Sequence, residues 1–132
     1  MAAWAGTQLA GYCIAMTQDF RDKIPLLVPM FERFDELIFR EQPLNRCRYI
    51  VGGQVCVAEA YRGQGIFDRL YQTFREVYDP VYERLITEVA VQNARSLKAH
   101  QRVGFEDIHR YQDPYGTQWA IVVWDWLDKN PV

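Results

Sequence analysis

A mixed α/β sandwich, one sheet covered by helices, is the fold class that three observations in the sequence predict. β-branched and aromatic runs alternate with segments whose apolar residues recur at helical spacing. Glycine and proline fall between those segments rather than inside them. The last two strand-like runs flank "DPYG" at 113–116, a β-turn with proline second and glycine fourth, so they pair as an antiparallel hairpin. The order strand, helix, strand, helix, strand, helix, strand, strand implies one sheet with helices packed on it. With 132 residues and 49% hydrophobic side chains, the chain supports one core and is read as a single domain, 1–132.

Each element has its own reason. "TQLAGYCIAM" (7–16) is rich in strand formers, with a bulge expected at Gly11. From Leu26 to Arg40, Met30, Phe31, Phe34, Leu37 and Ile38 follow the spacing of an amphipathic helix, and Pro29 suits its first turn. "RCRYIVGGQVCV" (46–57) returns to strand character, with Gly52 and Gly53 marking a bulge or a close backbone approach. From Gly65 to Tyr78, Phe67, Leu70, Tyr71, Phe74 and Val77 define a second helix that "DP" at 79–80 stops. "RLITEVAVQ" (84–92) is a β-branched strand, and a short helix from Asn93 to Arg102 ends at Val103-Gly104. Trp119, Trp124 and Trp126 on the last strand belong to core or interface, and their abundance near the chain end suggests a homodimer.

Composition removes several classes of function. A net charge of −2 with no Lys/Arg run argues against nucleic acid as a partner. Cys13, Cys47 and Cys56 show neither CxxC nor Cys/His ligand spacing, so no metal is expected, and an odd count suits a reducing compartment. The N-terminus lacks the basic and long apolar regions of a signal peptide, and no window approaches the ~18 apolar residues of a membrane span. The expected location is the cytoplasm, without membrane association.

The informative joint is Arg62-Gly63-Gln64-Gly65, which ends a strand and opens a helix. Such a joint presents free backbone N–H groups at the positive end of a helix, and its glycines let an anion approach closely. It is neither a Walker loop nor a three-glycine dinucleotide fingerprint. A second run follows downstream: Asn93, Ser96, His100, Gly104 and Phe105. Together with Val57, Tyr61, Arg62, Gly63, Gln64, Gly65 and Ile66, it resembles the GNAT family of acyl-CoA-dependent N-acetyltransferases, over about Leu9 to Val123.

The resemblance implies a mixed, mostly antiparallel sheet flanked by helices, with acetyl-CoA as cosubstrate. It implies a pyrophosphate held by the backbone of the Arg62 to Phe67 loop, which includes Gly63, Gln64, Gly65 and Ile66. The pantetheine arm would run along Val55 and Val57, with Asn93 and Ser96 in the facing run. Phe67 departs from the family's usual Gly or Ala. His100 stands where many members carry a tyrosine that returns a proton to the leaving thiolate, and an imidazolium can do the same work. Glu88 has the spacing of the base in members that acetylate protein N-terminal amines. Attack needs a neutral amine, while an α-amine has a pKa of about 8 and a lysine about 10.4, so a carboxylate must collect the proton. Glu59 is a weaker substitute.

Family members begin with a strand and two helices that wall the acceptor site, and only about six residues precede the first expected strand here. Either the 26–42 segment takes over that wall, with Phe31, Phe34, Glu32, Asp35 and Glu36 lining it, or a partner chain does. The reading is an N-acetyltransferase acting by direct attack of a primary amine, on a small molecule or a peptide N-terminus. The alternative is a non-catalytic acyl-CoA-binding module of the same fold.

Overall fold

A computed structural model describes residues 1–127, so the last five positions of the expected domain lie outside the described residues. The elements are β1 (Ala2–Ala5), β2 (Gln8–Met16), α1 (Val28–Glu36), β3 (Ile38–Phe39), β4 (Gln42–Pro43), β5 (Tyr49–Val57), α2 (Ile66–Tyr78), β6 (Arg84–Ala90), α3 (Ala94–Val103), β7 (Glu106–Gln112) and β8 (Gln118–Asp125). Six strands form one sheet in the order β1-β2-β5-β6-β8-β7, and β3 and β4 form a separate two-stranded hairpin. All sheet pairs are antiparallel except β5 with β6. The fold is therefore the expected mixed, mostly antiparallel sheet flanked by helices.

The two faces of the sheet carry separate apolar clusters. Ile50, Leu85, Val122 and Trp124 meet Leu70, Tyr71 and Phe74 of α2 and Leu97 of α3. Their sequence neighbours Tyr49, Val51, Ile86, Ile121 and Val123 point the other way, onto Met30, Phe31 and Phe34 of α1. This is the period-2 alternation of a strand applied to a three-layer sandwich. Trp124 and Trp126 are consumed by the α2 face, where Trp126 is 1% exposed, so the dimer suggested by the tryptophans has no support from these two.

Three expectations need correction. The helix expected from Leu26 to Arg40 is shorter, because Leu37 turns to extended backbone and Arg40 and Glu41 adopt left-handed φ of 50° and 69°, closing the β3–β4 hairpin. A strand precedes 7–16: Ala2–Ala5 pairs with β2 through Ala2↔Tyr12 and Ala3↔Gly11. The bulge expected at Gly11 falls one residue earlier, where Ala10 has no partner in a register that steps from Ala3↔Gly11 to Trp4↔Leu9. Gly11 itself serves close packing, since a Cβ there would lie 2.8 Å from the Cys56 carbonyl and 3.3 Å from Leu70. The irregularity expected at Gly52-Gly53 is present, because the β2–β5 register passes from Ile14↔Gln54 to Ala15↔Gly52 and skips Gly53.

Candidate functional site

The site begins with a break in the sheet. β5 and β6 pair through Tyr49↔Arg84, Ile50↔Leu85 and Val51↔Ile86 and no further. The Thr87 hydroxyl then donates to the Gly52 carbonyl at 2.7 Å. Beyond that link β5 continues with β2 as far as Gly11↔Val57, while β6 continues with β8 as far as Ala90↔Trp119. The skipped Gly53 turns β5 away from its parallel neighbour, as a bulge does. On its β6 side the stretch 53–57 therefore has no ladder partner, and an extended chain could hydrogen-bond there.

The fork opens onto a cavity of about 890 Å³ on the α2/α3 side of the sheet. Val55, Val57, Arg62, Gly63, Gly65, Ile66, Phe67, Asn93 and Ser96 all line it. Gln64 sits exposed on the same loop but does not border the cavity. Gly65, with φ +78°, is the residue before α2, and Gly63 has φ +82°. A Cβ at either would meet nothing within 4 Å, so the space above the loop is open. The start of α2 borders this cavity, and a helix N-terminus with free amides and no Cβ at Gly63 and Gly65 fits a diphosphate. Asn93 caps α3 by accepting from the Ser96 amide at 3.2 Å, which leaves its side-chain NH₂ available to the cavity. The sequence reading missed a cationic rim: Arg95, Lys98 and Arg102 also border the cavity. Their spacing of three and four along α3 was the signal available. Arg102 is paired with Asp68 at 2.7 Å.

His100 does not border the cavity. It is 2% exposed, behind Phe67, with ring centroids 5.1 Å apart. Nδ1 lies 2.7 Å from the Ser96 carbonyl, which can only accept, so Nδ1 carries the proton. Nε2 then accepts from the Tyr71 hydroxyl at 2.8 Å. Burial pushes the imidazole pKa below its ordinary value. The ring is engaged at both nitrogens and buried away from the cavity, which differs from an imidazolium placed to return a proton to the leaving thiolate. Phe67 is half-buried with its edge on Tyr71, so its bulk is directed toward the core as well as the cavity wall.

Glu88 faces the opposite side of the sheet. It borders a second cavity of about 300 Å³, shared with Gly52, Gly53 and Thr87 at the crotch of the fork. β5 contributes to both cavities, Gly53 to the smaller and Val55 to the larger. Burial pushes the Glu88 carboxyl up to about 7, against a hydrogen bond from the Tyr111 hydroxyl that lowers it. Tyr111 was not singled out by sequence; it is 23 residues away and reaches Glu88 only through strand pairing. Of the acceptor-wall residues expected on the 26–42 segment, Phe31 and Phe34 are core, Asp35 pairs with Arg21, and Glu36 pairs with Arg33. The cavity wall comes instead from Leu26, Leu27, Pro29 and Met30. Glu59 is exposed on a short 3-10 turn and borders neither cavity. Among the described residues, no group of three or more His, Cys, Asp or Glu is placed to hold a metal ion.

The α/β protein thus has a forked parallel pair, with an open glycine-lined helix start on one face and a half-buried carboxylate on the other. The chain belongs to the acetyltransferase (GNAT) family, whose model matches residues 1–105 and whose reaction is acetyl-CoA-dependent acyl transfer. Solved structures agree on the fold. A GNAT family acetyltransferase from Elizabethkingia anophelis with acetyl-CoA bound superposes with TM-score 0.67 at 13% identity, over 94% of this chain and 73% of that one. An N-acetyltransferase from Staphylococcus aureus gives 0.66 at 15%, over 92% and 67%. A Bacillus subtilis acetyltransferase in complex with CoA gives 0.65 at 13%, over 94% and 74%. The chain spans between 67% and 74% of the length of these three structures. A comparison with curated proteins gives no match.

Proposed function

We propose that the protein transfers an acetyl group from acetyl-CoA to the nitrogen of a primary amine by direct attack, with Glu88 as the base. The observation that carries this reading is the position of Glu88: a half-buried carboxylate at the crotch of the fork, across β5 from a cavity suited to acetyl-CoA. The cosubstrate supplies an activated acyl carbon and a thiolate leaving group. The chain supplies the α2 amides for the diphosphate, the unpaired edge of β5 at 53–57 for the extended arm, and Asn93 and Ser96 opposite. Gly63 and Gly65 keep the phosphate space open, and Arg62, Ile66 and Phe67 wall it. The C–N bond forms as the C–S bond breaks, and the amine's proton passes to the Glu88 carboxylate. A carboxyl at about 7 is half-ionised near neutrality, which suits a group that must both accept and release a proton. His100 acts as a positioning residue that pins α3 to α2 through Tyr71. The whole chain works as one domain, and with three free thiols it suits the cytoplasm.

The burial of His100 favours a second reading, a module that binds acyl-CoA without turnover. Calorimetric titration with acetyl-CoA, CoA and ATP, followed by thiol release from an amine panel for wild type and Glu88→Gln, separates the two. Binding with Glu88-dependent release supports the enzyme. Binding with no release from any amine leaves the module.

A further inference from the structure

We propose that the Glu88 cavity selects a primary amine carried on an apolar body, and discriminates against polyamines and polycationic sugars. The proposal rests on the transferase reading for its place in the reaction, but its argument is the chemistry of the wall.

Charge comes first. Two carboxylates border the cavity, Glu88 and Asp113. At Asp113, Oδ1 accepts from the Tyr115 and Thr117 amides at 2.9 and 3.0 Å and Oδ2 from the Trp119 indole at 2.9 Å, which fixes the carboxylate at the cavity edge without cancelling its charge. A polycation would bring more ammonium groups than the wall has carboxylates and would set the remainder against apolar side chains, which is costly in a partly desolvated site. Shape comes second. Met16, Met30 and Leu27 line the interior, and Leu26 and Tyr115 stand at the cavity 70% and 73% exposed. Large apolar side chains left in water beside a cavity gain burial when an apolar ligand enters. The same chemistry is offered by a free arylalkylamine and by a peptide whose first residue is apolar.

The test is calorimetric titration of the CoA-saturated protein with phenethylamine, the peptide Leu-Gly-Gly and spermidine, with thiol release from acetyl-CoA followed in parallel. The expected result is that phenethylamine or Leu-Gly-Gly binds at least tenfold more tightly than spermidine. The double variant Leu26→Ser/Tyr115→Ser, which alters only exposed side chains, should weaken that binding at least tenfold and leave acetyl-CoA affinity unchanged. The tighter of the two apolar probes identifies the source. Spermidine binding as tightly as both apolar probes, or a double variant that binds them as wild type does, overturns the proposal. Apolar binding without thiol release upholds it and sinks the transferase reading; thiol release from spermidine alone does the reverse.

Discussion

Ionising Glu88 works against the fold. Its carboxyl sits at about 7 when folded, against an ordinary 4.5, with burial the main cause. Below pH 4.5 the group is protonated in both states and contributes nothing. Between 4.5 and 7 the folded state holds its proton more firmly than the unfolded one, so stability falls as pH rises through this window and stays lower above it. Glu88→Gln keeps an acceptor for the Tyr111 hydroxyl and carries no charge. Denaturant unfolding should therefore show the variant more stable than wild type at pH 8 and equal to it at pH 4. Activity should run in the opposite sense. With Glu88 as the base, the wild-type kcat/KM should climb with pH through about 7, and the variant should lose that limb together with about 10²-fold or more of the rate. A Glu88 that was merely structural would not couple a gain in stability to a loss of rate. Tyr71→Phe makes the contrasting case. It strips the donor from a buried Nε2 and should lower stability by about 1–3 kcal/mol while leaving the ascending limb in place. Glu88 was singled out only through the resemblance, by the spacing of the family's glutamate to Asn93; that it lies on the face of β6 shared with Ile86 follows from strand alternation. The burial of His100 was less legible: Asn93 is the cap of α3, outside its helical periodicity, whereas His100 lies three residues after Leu97 on the inward face.

The same division between local and non-local causes holds for whole elements. α2, α3, β5, β6 and the terminal hairpin were readable because their periodicity and their Gly or Pro boundaries are contained in one window of sequence. The β5 bulge was readable for the same reason, since two adjacent glycines mark it. β1 and the β3–β4 hairpin were not, because four and two residues carry no periodicity and form only on a partner. Arg40 holds its hairpin by bonds to Asp125 at 2.8 Å and Glu106 at 2.9 Å, far along the chain. The element that matters most for binding is the start of α2. Gly65→Ala places a Cβ at φ +78° where nothing lies within 4 Å, so the stability cost is only the backbone term, about 1–2 kcal/mol. That Cβ projects into the space assigned to the diphosphate. The acetyl-CoA dissociation constant measured by calorimetry should rise at least tenfold, more than a fold that is still intact would otherwise explain. Wild-type affinity in Gly65→Ala would mean the anion binds elsewhere.

At the scale of the molecule, a sheet that splits at one end must be held at the other. Only three residue pairs join β5 to β6, and the end they occupy is reinforced from outside the pair. The Glu83 amide donates to the Arg48 carbonyl at 2.6 Å, and the Trp126 amide to the Glu83 carbonyl at 3.0 Å. Arg84, 4% exposed, lies 3.5 Å from Asp125, donates to Gln42 of the small hairpin at 2.9 Å and stacks over Phe39. Asp125 thus ties together β6, β8 and the hairpin that caps the α1 face. Such a clamp lets the open end part without unzipping the sheet, since strands that fork at Gly52 remain in register from Val51 back to Tyr49. Removing one partner of a buried pair strands the other charge. Asp125→Ala should therefore lower stability by about 3–5 kcal/mol, read as a drop in the unfolding midpoint. Arg40→Ala, which removes a half-exposed partner of the same carboxylate, should cost about 1 kcal/mol or less. If the clamp also sets the width of the fork, Asp125→Ala should weaken acetyl-CoA binding at a temperature where the variant is still folded, although Asp125 borders neither cavity. Unchanged affinity under those conditions would confine the ion pair to stability and leave the fork to the Gly53 bulge alone.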